Sequence, residues 1–176
     1  NTAPDGTLTQ TVLTQSGVTV TAKADGTVTT LAPEADPRFG VLAPVPKRFE
    51  VRTPGGRDYI SATTRSASLA TAGDPLSLTQ LNETSVVNGR YYISVFDALA
   101  HQLTAVTPAG RQTVSTLDNR GRPLSVQASG ISDVSYAYDS RGRLSRMTQG
   151  AGTDGRSLQF AYDAQGNVAS VTDALN

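Results

Sequence analysis

The stretch Tyr138-Asp139-Ser140-Arg141-Gly142-Arg143-Leu144 decides the fold, because its pattern recurs along the second half of the chain. A large apolar residue followed by Asp is also found at Phe96-Asp97, Leu117-Asp118 and Tyr162-Asp163, and these aspartates are spaced 21, 21 and 24 residues apart. A Gly follows three residues after the Asp in every copy except the first. A nearly fixed period of this length indicates a repeat architecture.

The Asp-x-x-Gly pattern predicts a tight turn between two strands. An Asp at the first position of a turn accepts hydrogen bonds from backbone N–H groups two residues further on. A Gly at the fourth position takes the left-handed conformation that lets the chain re-enter the sheet. The structural turn residues predicted in this way are Asp118 with Gly121, Asp139 with Gly142, and Asp163 with Gly166. The apolar residues that precede the aspartates, Phe96, Leu117, Tyr138 and Tyr162, are predicted to end strands on the packed side of the sheet.

A second reversal signal lies between these turns, for example Thr107-Pro108-Ala109-Gly110. Each period can therefore hold two strands of roughly 5–6 residues and two turns. A further hairpin is predicted at Asn88-Gly89, since this dipeptide supplies the two positive-φ residues of a type I′ turn. Helical apolar spacing is not sustained over any long window. The sequence therefore predicts an all-β array of antiparallel hairpins that coils into a spiral or shell, with little or no helix.

Four segments are expected along the chain. Residues 1–31 are predicted to form hairpin strands, on the period-two alternation of Val18-Thr19-Val20-Thr21-Ala22 and the turn signal Asp25-Gly26. Residues 32–48 are predicted to form an ordered crossing loop, because this segment holds several prolines and proline cannot donate to a sheet. Residues 49–95 are expected to form divergent repeat hairpins, and residues 96–176 the repeats of about 21–24 residues.

The repeats resemble the YD repeats of RHS proteins, a superfamily of bacterial polymorphic toxins, toxin-complex shells and teneurins. The resemblance is carried by Tyr138-Asp139-Ser140-Arg141-Gly142-Arg143-Leu144, by Tyr162-Asp163-Ala164-Gln165-Gly166-Asn167-Val168, and by the segment Asp36-Pro37-Arg38-Phe39-Gly40. It implies strands that spiral into a hollow shell, which in the parent protein can enclose a C-terminal toxin. The family's self-cleaving aspartyl site is not expected here. Neither Asp36-Pro37 nor Asp74-Pro75 is followed by glycines at the spacing that this site requires in the family.

Composition excludes several classes of function. Lys plus Arg and Asp plus Glu are equal at 15 each, so there is no basic excess to attract nucleic acid. The chain has no Cys, which excludes disulfides, thiol catalysis and cysteine-based zinc sites. No membrane span is predicted, since the uncharged stretches are rich in Thr, Ser and Gly.

Candidate sites are few, and we predict no catalytic residue, no metal ligand and no cofactor. The single His, His101, lacks a nucleophile motif and is predicted to be a surface turn residue. The aspartates stand one per repeat, unlike the clustered acids of a calcium loop. Exposed Tyr91 and Tyr92, and a ladder of arginines that includes Arg120 and Arg141, could bind a glycan or a partner protein. Cross-strand packing and pairing with the turn aspartates are the alternatives for these side chains.

The sequence therefore predicts a structural module, not an enzyme, of a secreted or bacterial surface protein. Its expected partners are the remaining YD repeats and an enclosed toxin. A glycan- or protein-binding adhesion module is the alternative. Self-association through strand edges is also expected, because residues 7–22 contain no charged side chain and neutral edges pair readily.

Overall fold

The computed structural model describes residues 6–150 and 155–173, and within these ranges it contains strands and turns but no helix. The prediction of an all-β fold of antiparallel hairpins is therefore confirmed. The chain divides into two compact units between Val95 and Phe96, the position at which the sequence places the first YD repeat. No helix in the described ranges could serve as a membrane-crossing segment.

The first unit is a meander of strands in which each strand is hydrogen-bonded to the next one in the sequence. The strands are β1 (Gln10–Leu13), β2 (Thr19–Ala22), β3 (Val28–Asp36), β4 (Gly40–Arg52), β5 (Asp58–Leu69), β6 (Leu78–Val87) and β7 (Arg90–Asp97), the last of which contains the unit boundary. The two-residue connection between β6 and β7 is the predicted Asn88-Gly89 turn. Both residues have positive φ, 47° and 79°, as a type I′ turn requires.

The predicted crossing loop over residues 32–48 is wrong, since nearly all of this segment is strand. β3 and β4 pair directly here, with Pro33 opposite Pro46, and only the tip between Asp36 and Gly40 is a turn. The prolines are tolerated because the outer edges of the β3–β4 pair have no neighbouring strand along this segment. The pairing of β2 with β3 ends at Leu31, and that of β4 with β5 ends at Arg48. A missing N–H on an unpaired edge removes no ladder hydrogen bond.

The second unit repeats the same meander with shorter strands. They are β8 (Gln102–Val106), β9 (Gln112–Leu117), β10 (Pro123–Ala128), β11 (Ile131–Tyr138), β12 (Leu144–Gln149), β13 (Arg156–Tyr162) and β14 (Val168–Asp173). Two strands make up each period, as the repeat predicts. The connection between β12 and β13, in which the sequence predicts a turn at Gln149-Gly150-Ala151-Gly152, lies partly outside the described residues.

The sheet of the second unit has an apolar face and a polar face. Tyr136, Met147 and Leu158 lie opposite one another on three neighbouring strands and share a face. The adjacent row, Ala137 with Arg146 and Gln159, points to the other face. Among the described residues no hydrophobic side chain is fully buried, and the one buried residue is Ser157. The apolar face is therefore a half-covered surface and not the core of a two-layer domain.

Candidate functional site

The turn between β9 and β10 shows how the Asp-x-x-Gly pattern works. Asp118 N–H donates to the Arg122 carbonyl at 2.8 Å, and Gly121 N–H donates back to the Asp118 carbonyl at 2.9 Å. Asp118 Oδ1 accepts the backbone N–H of Arg120 at 2.8 Å and that of Arg122 at 2.9 Å. Gly121 has a φ of 75°, which an ordinary side chain rarely adopts. One carboxylate thus closes the turn, and the Gly allows the chain to reverse.

The turn between β11 and β12 has the same geometry. Asp139 Oδ1 accepts the N–H groups of Arg141 and Arg143, both at 2.9 Å, and Gly142 has a φ of 83°. The turn between β13 and β14 keeps the carboxylate, with Asp163 Oδ1 accepting the N–H of Asn167 at 2.8 Å, and Gly166 has a φ of 94°. The three predicted Asp–Gly pairs therefore occupy equivalent positions.

The residue after each turn Gly extends the site. Arg122 forms an ion pair with Asp118, from Nη2 to Oδ2 at 2.6 Å, and its guanidinium lies 4.1 Å from the centre of the Tyr138 ring. Arg143 likewise pairs with Asp139 at 2.8 Å and lies 4.1 Å from the Tyr162 ring. Each Arg therefore joins its own turn to the tyrosine that precedes the next Asp turn.

The tyrosine hydroxyls add a link back to the preceding strand. Tyr138 Oη donates to the Pro123 carbonyl at 2.8 Å, and Tyr162 Oη donates to the Leu144 carbonyl at 2.7 Å. Both tyrosines are half-buried, as are Phe96 and Leu117 at the equivalent positions of the earlier repeats. The tyrosines of the YD pairs contact arginine and backbone, and not one another as stacked rings would.

The degenerate first repeat uses a wider turn. Asp97 Oδ1 accepts the N–H groups of Leu99 and Ala100, both at 2.9 Å, and His101 has a φ of 50°. The Asp36 turn of the first unit matches it, with Gly40 at a φ of 63° in the place of His101. His101 is exposed and occupies the left-handed turn position, as the sequence-based reading of a surface turn residue expects.

Sequence reasoning missed that Thr performs the same role as Asp. The turns that begin at Thr14, Thr53 and Thr107 also carry a positive-φ Gly at the fourth position. In each, the threonine Oγ1 accepts the N–H of the fifth residue, at 3.0, 3.1 and 3.2 Å respectively. The reversal at Thr107-Pro108-Ala109-Gly110 was predicted, but the role of the threonine was not. The Thr-x-x-Gly spacing was the signal for that role, since a hydroxyl oxygen can accept the same hydrogen bond as a carboxylate.

Hydrogen bonding lowers the pKa of the turn aspartates. The backbone N–H and then the side chain of Arg122 lower the pKa of Asp118 to about 2. The pKa of Asp139 is also lowered, first by the backbone N–H of Arg143, and that of Asp163 first by the backbone N–H of Asn167. Each carboxylate is therefore ionised at neutral pH. It is held by turn amides rather than by another acid with which it could share a proton or a metal.

The remaining predicted binding residues do not converge on one site. Tyr91 and Tyr92 are 61% and 42% exposed, but as consecutive strand residues they point to opposite faces of the sheet. Arg120 and Arg141 are exposed at the tips of their turns. In the described part of the chain, no group of three or more acidic or His side chains is placed to hold a metal ion.

Comparison with known proteins identifies the family of the chain. No curated protein sequence matches the chain. Among solved structures, a chain of the Photorhabdus luminescens Tc holotoxin pore aligns with 94% of this chain at 15% sequence identity and a TM-score of 0.37. This chain covers 11% of that chain's length. The family model of the teneurin YD-shell matches residues 3–176. The chain therefore belongs to the teneurin YD-shell family.

Proposed function

We propose that this chain is a segment of the wall of a strand-built shell. The observation that carries the proposal is the two-faced sheet of the second unit, whose apolar side chains are only half-covered. A single-layer sheet with one apolar face is stable in water only when that face is covered. In a shell, the rest of the parent protein covers the apolar face.

The turns support the same role. Among the described residues, the rim of the second unit carries the same arrangement of Asp, Gly, Arg and Tyr twice. Each turn is closed by its own hydrogen bonds, so its hairpin can be followed by another of the same kind. Repetition of a hairpin that packs on its neighbour produces an extended wall.

For the parent protein we propose secretion or display at the cell surface, with the shell enclosing or presenting a C-terminal toxin. The basis is the YD-repeat family to which the chain belongs. The expected partners are the remaining repeats and the enclosed domain. We propose no enzymatic role for these residues.

An adhesion module that binds glycans through tyrosines is the less favoured function. A sugar needs an open aromatic face, and the Tyr138 ring is covered by the Arg122 guanidinium. Tyr91 and Tyr92 cannot form one strip because they lie on opposite faces of β7. A glycan array probed with the soluble chain separates the two functions, since reproducible binding to one sugar class would favour adhesion.

The wall proposal is tested in the full-length parent protein by two matched substitutions on β13. Phe160 lies on the apolar face opposite Val171, and its neighbour Ala161 lies on the polar face opposite Ser170. Because a carboxylate on a covered apolar surface is strongly disfavoured, Phe160→Asp should open the particle. The Ala161→Asp variant should behave as the unmodified protein.

The readout is electron microscopy of the particles together with protease resistance of the segment that follows the repeats. A hollow particle with a protected interior segment, lost in Phe160→Asp alone, is the expected result. Particles with no cavity, or equal protection in both variants, would contradict the wall.

A further inference from the structure

We propose that Arg122 and Arg143 are latches that fix each YD turn onto the turn of the following repeat, so that the rim is coupled from one repeat to the next. The latch comprises the Arg after the turn Gly, the Asp of the same turn, and the Tyr and Gly of the next turn. The function of the latch rests on the proposed wall, in which neighbouring hairpins must keep their register.

The Arg122 guanidinium contacts both turns at once. Toward its own turn, Nε donates to Asp118 Oδ2 at 2.7 Å. Toward the next turn, Nη1 donates to the Gly142 carbonyl at 2.8 Å, and the guanidinium plane covers the Tyr138 ring. A planar group with several fixed donors suits this bridging task, whereas a lysine ammonium could not make all of these contacts.

The Gly of the next turn is shaped to receive the latch. A Cβ added to Gly142 would lie 2.8 Å from Arg122 Nη1, closer than side-chain atoms normally approach, and 3.5 Å from Arg120 Nη1, an ordinary contact distance. A Cβ added to Gly121, in the turn before it, would meet nothing within 4 Å. These two glycines have similar φ values, 75° and 83°. They differ because Gly142 follows a repeat that carries a latch Arg, whereas the repeat before Gly121 has Gln102 after its wide turn.

The second latch repeats most of this geometry. Arg143 holds Asp139 through Nε at 2.8 Å and covers Tyr162. Its Nη1 atom is buried and lies 3.7 Å from the position of a Cβ on Gly166, without a hydrogen-bond partner among the described residues. The residue after Gly166 is Asn167, whose side chain donates to Asp163 of its own turn at 3.3 Å. The described latches therefore couple three consecutive turns, in the direction from the N-terminus to the C-terminus.

The test is site-resolved amide hydrogen exchange of the full chain. A residue important only to its own turn would, when replaced, speed exchange at that turn. A latch, which contacts both turns, should speed exchange at the next turn as well. We expect Arg122→Gln to accelerate exchange of the Gly142 N–H by about two- to five-fold, the factor that a part-exposed cation–π contact supports. The Arg143→Gln variant should act in the same way on the Gly166 N–H.

The matched controls are Arg120→Gln and Arg141→Gln, since these exposed arginines lie in the same turns and have no side-chain hydrogen bond or ion pair in the described structure. Both should leave exchange unchanged. Acceleration confined to the mutated turn, or equal acceleration by Arg120→Gln and Arg122→Gln, would overturn the latch.

A second measurement keeps the proposal testable if a variant loses stability overall. Gly142→Ala should lower the thermal midpoint more than Gly121→Ala, and the difference should vanish when Arg122 is also replaced by Gln. A difference that persists would overturn the latch. Neither experiment depends on a cavity or a cargo. A result that contradicts the latch proposal is therefore distinguishable from one that contradicts the wall proposal.

Discussion

Gly26→Ala tests whether the turns of the first unit are fitted to one another as well as individually closed. Gly26 is the fourth residue of the turn that begins at Lys23, and Gly56 is the fourth residue of the turn that begins at Thr53. Their φ values are 83° and 74°, so an Ala suffers the same backbone strain at both positions. A left-handed non-glycine residue costs roughly 1–2 kcal/mol.

The surroundings of the two glycines differ. A Cβ at Gly26 would lie 2.9 Å from Pro54 Cγ, whereas at Gly56 it would meet nothing within 4 Å. The proline ring cannot rotate away, so the turns must move apart. Overpacking of this kind costs roughly 1–3 kcal/mol, which adds to the backbone strain. For a chain of this length 1 kcal/mol lowers the melting midpoint by about 2–4 °C.

We therefore expect the midpoint of Gly26→Ala to lie at least about 2 °C, and up to about 12 °C, below that of Gly56→Ala. Thermal unfolding followed by far-ultraviolet circular dichroism measures both variants. The control is the same comparison in a Pro54→Ala background, where the missing Cγ should make the two substitutions equivalent. Equal midpoints in the original background, or a difference that survives Pro54→Ala, would refute the packing argument.

Two further predictions concern acid stability and association. Because the Asp118 pKa is lowered to about 2, its stabilising effect is complete above about pH 4 and is lost as the pH falls toward 2. The midpoint of urea unfolding should therefore be constant from pH 7 to about pH 5 and should decrease below pH 4. The midpoint of Asp118→Asn should decrease less in that lower range. A main loss between pH 6 and 5 would contradict this assignment. Light scattering after size-exclusion chromatography should show dimers or filaments of the chain, because β1 and β14 carry exposed apolar side chains, including Leu13 at 71% and Val168 at 54%. Ala169→Pro should reduce association, while Ala164→Pro, at a turn position where Pro54 and Pro108 stand in other turns, should not. A monomer at every concentration would contradict the prediction.

The sequence was sufficient for the hairpin array because its information is local. Period-two alternation, Asn88-Gly89 and the Asp-x-x-Gly turns each specify a reversal within a few residues. The proline-containing segment 32–48 was misread for the opposite reason. A proline in the sequence shows only that its own N–H is missing. Whether that N–H would have formed a hydrogen bond with a neighbouring strand depends on where β2 and β5 stop pairing. That information is carried by strand lengths in other hairpins.

The candidate site shows the same division between local and distant information. The turn role of Asp139 follows from its own neighbours, since the amides that it binds lie two and four residues away. The role of Arg143 does not, because the Tyr162 ring that it covers is 19 residues away in the sequence and is brought close by the pairing of β12 with β13. The sequence placed the arginines in a ladder but could not separate Arg122 and Arg143 from Arg120 and Arg141. Only the geometry of the folded turn shows that the second Arg of Arg-Gly-Arg binds its own Asp and covers the Tyr of the next repeat.

Packing between turns also gives the repeat length a physical meaning. A latch reaches the next turn only if the two strands between them return the chain to the same rim, which holds for the spacings of 21 and 24 residues in the second unit. The longer period that ends at Tyr162 still places its ring 4.1 Å from Arg143. The strand bounds leave residues 150–155 between β12 and β13, compared with 129–130 between β10 and β11. The rim that carries the Asp turns is therefore constrained in spacing, while the other rim tolerates insertions. We expect length variation in related repeats to concentrate on that second rim, because an insertion there leaves the Arg–Tyr contact intact.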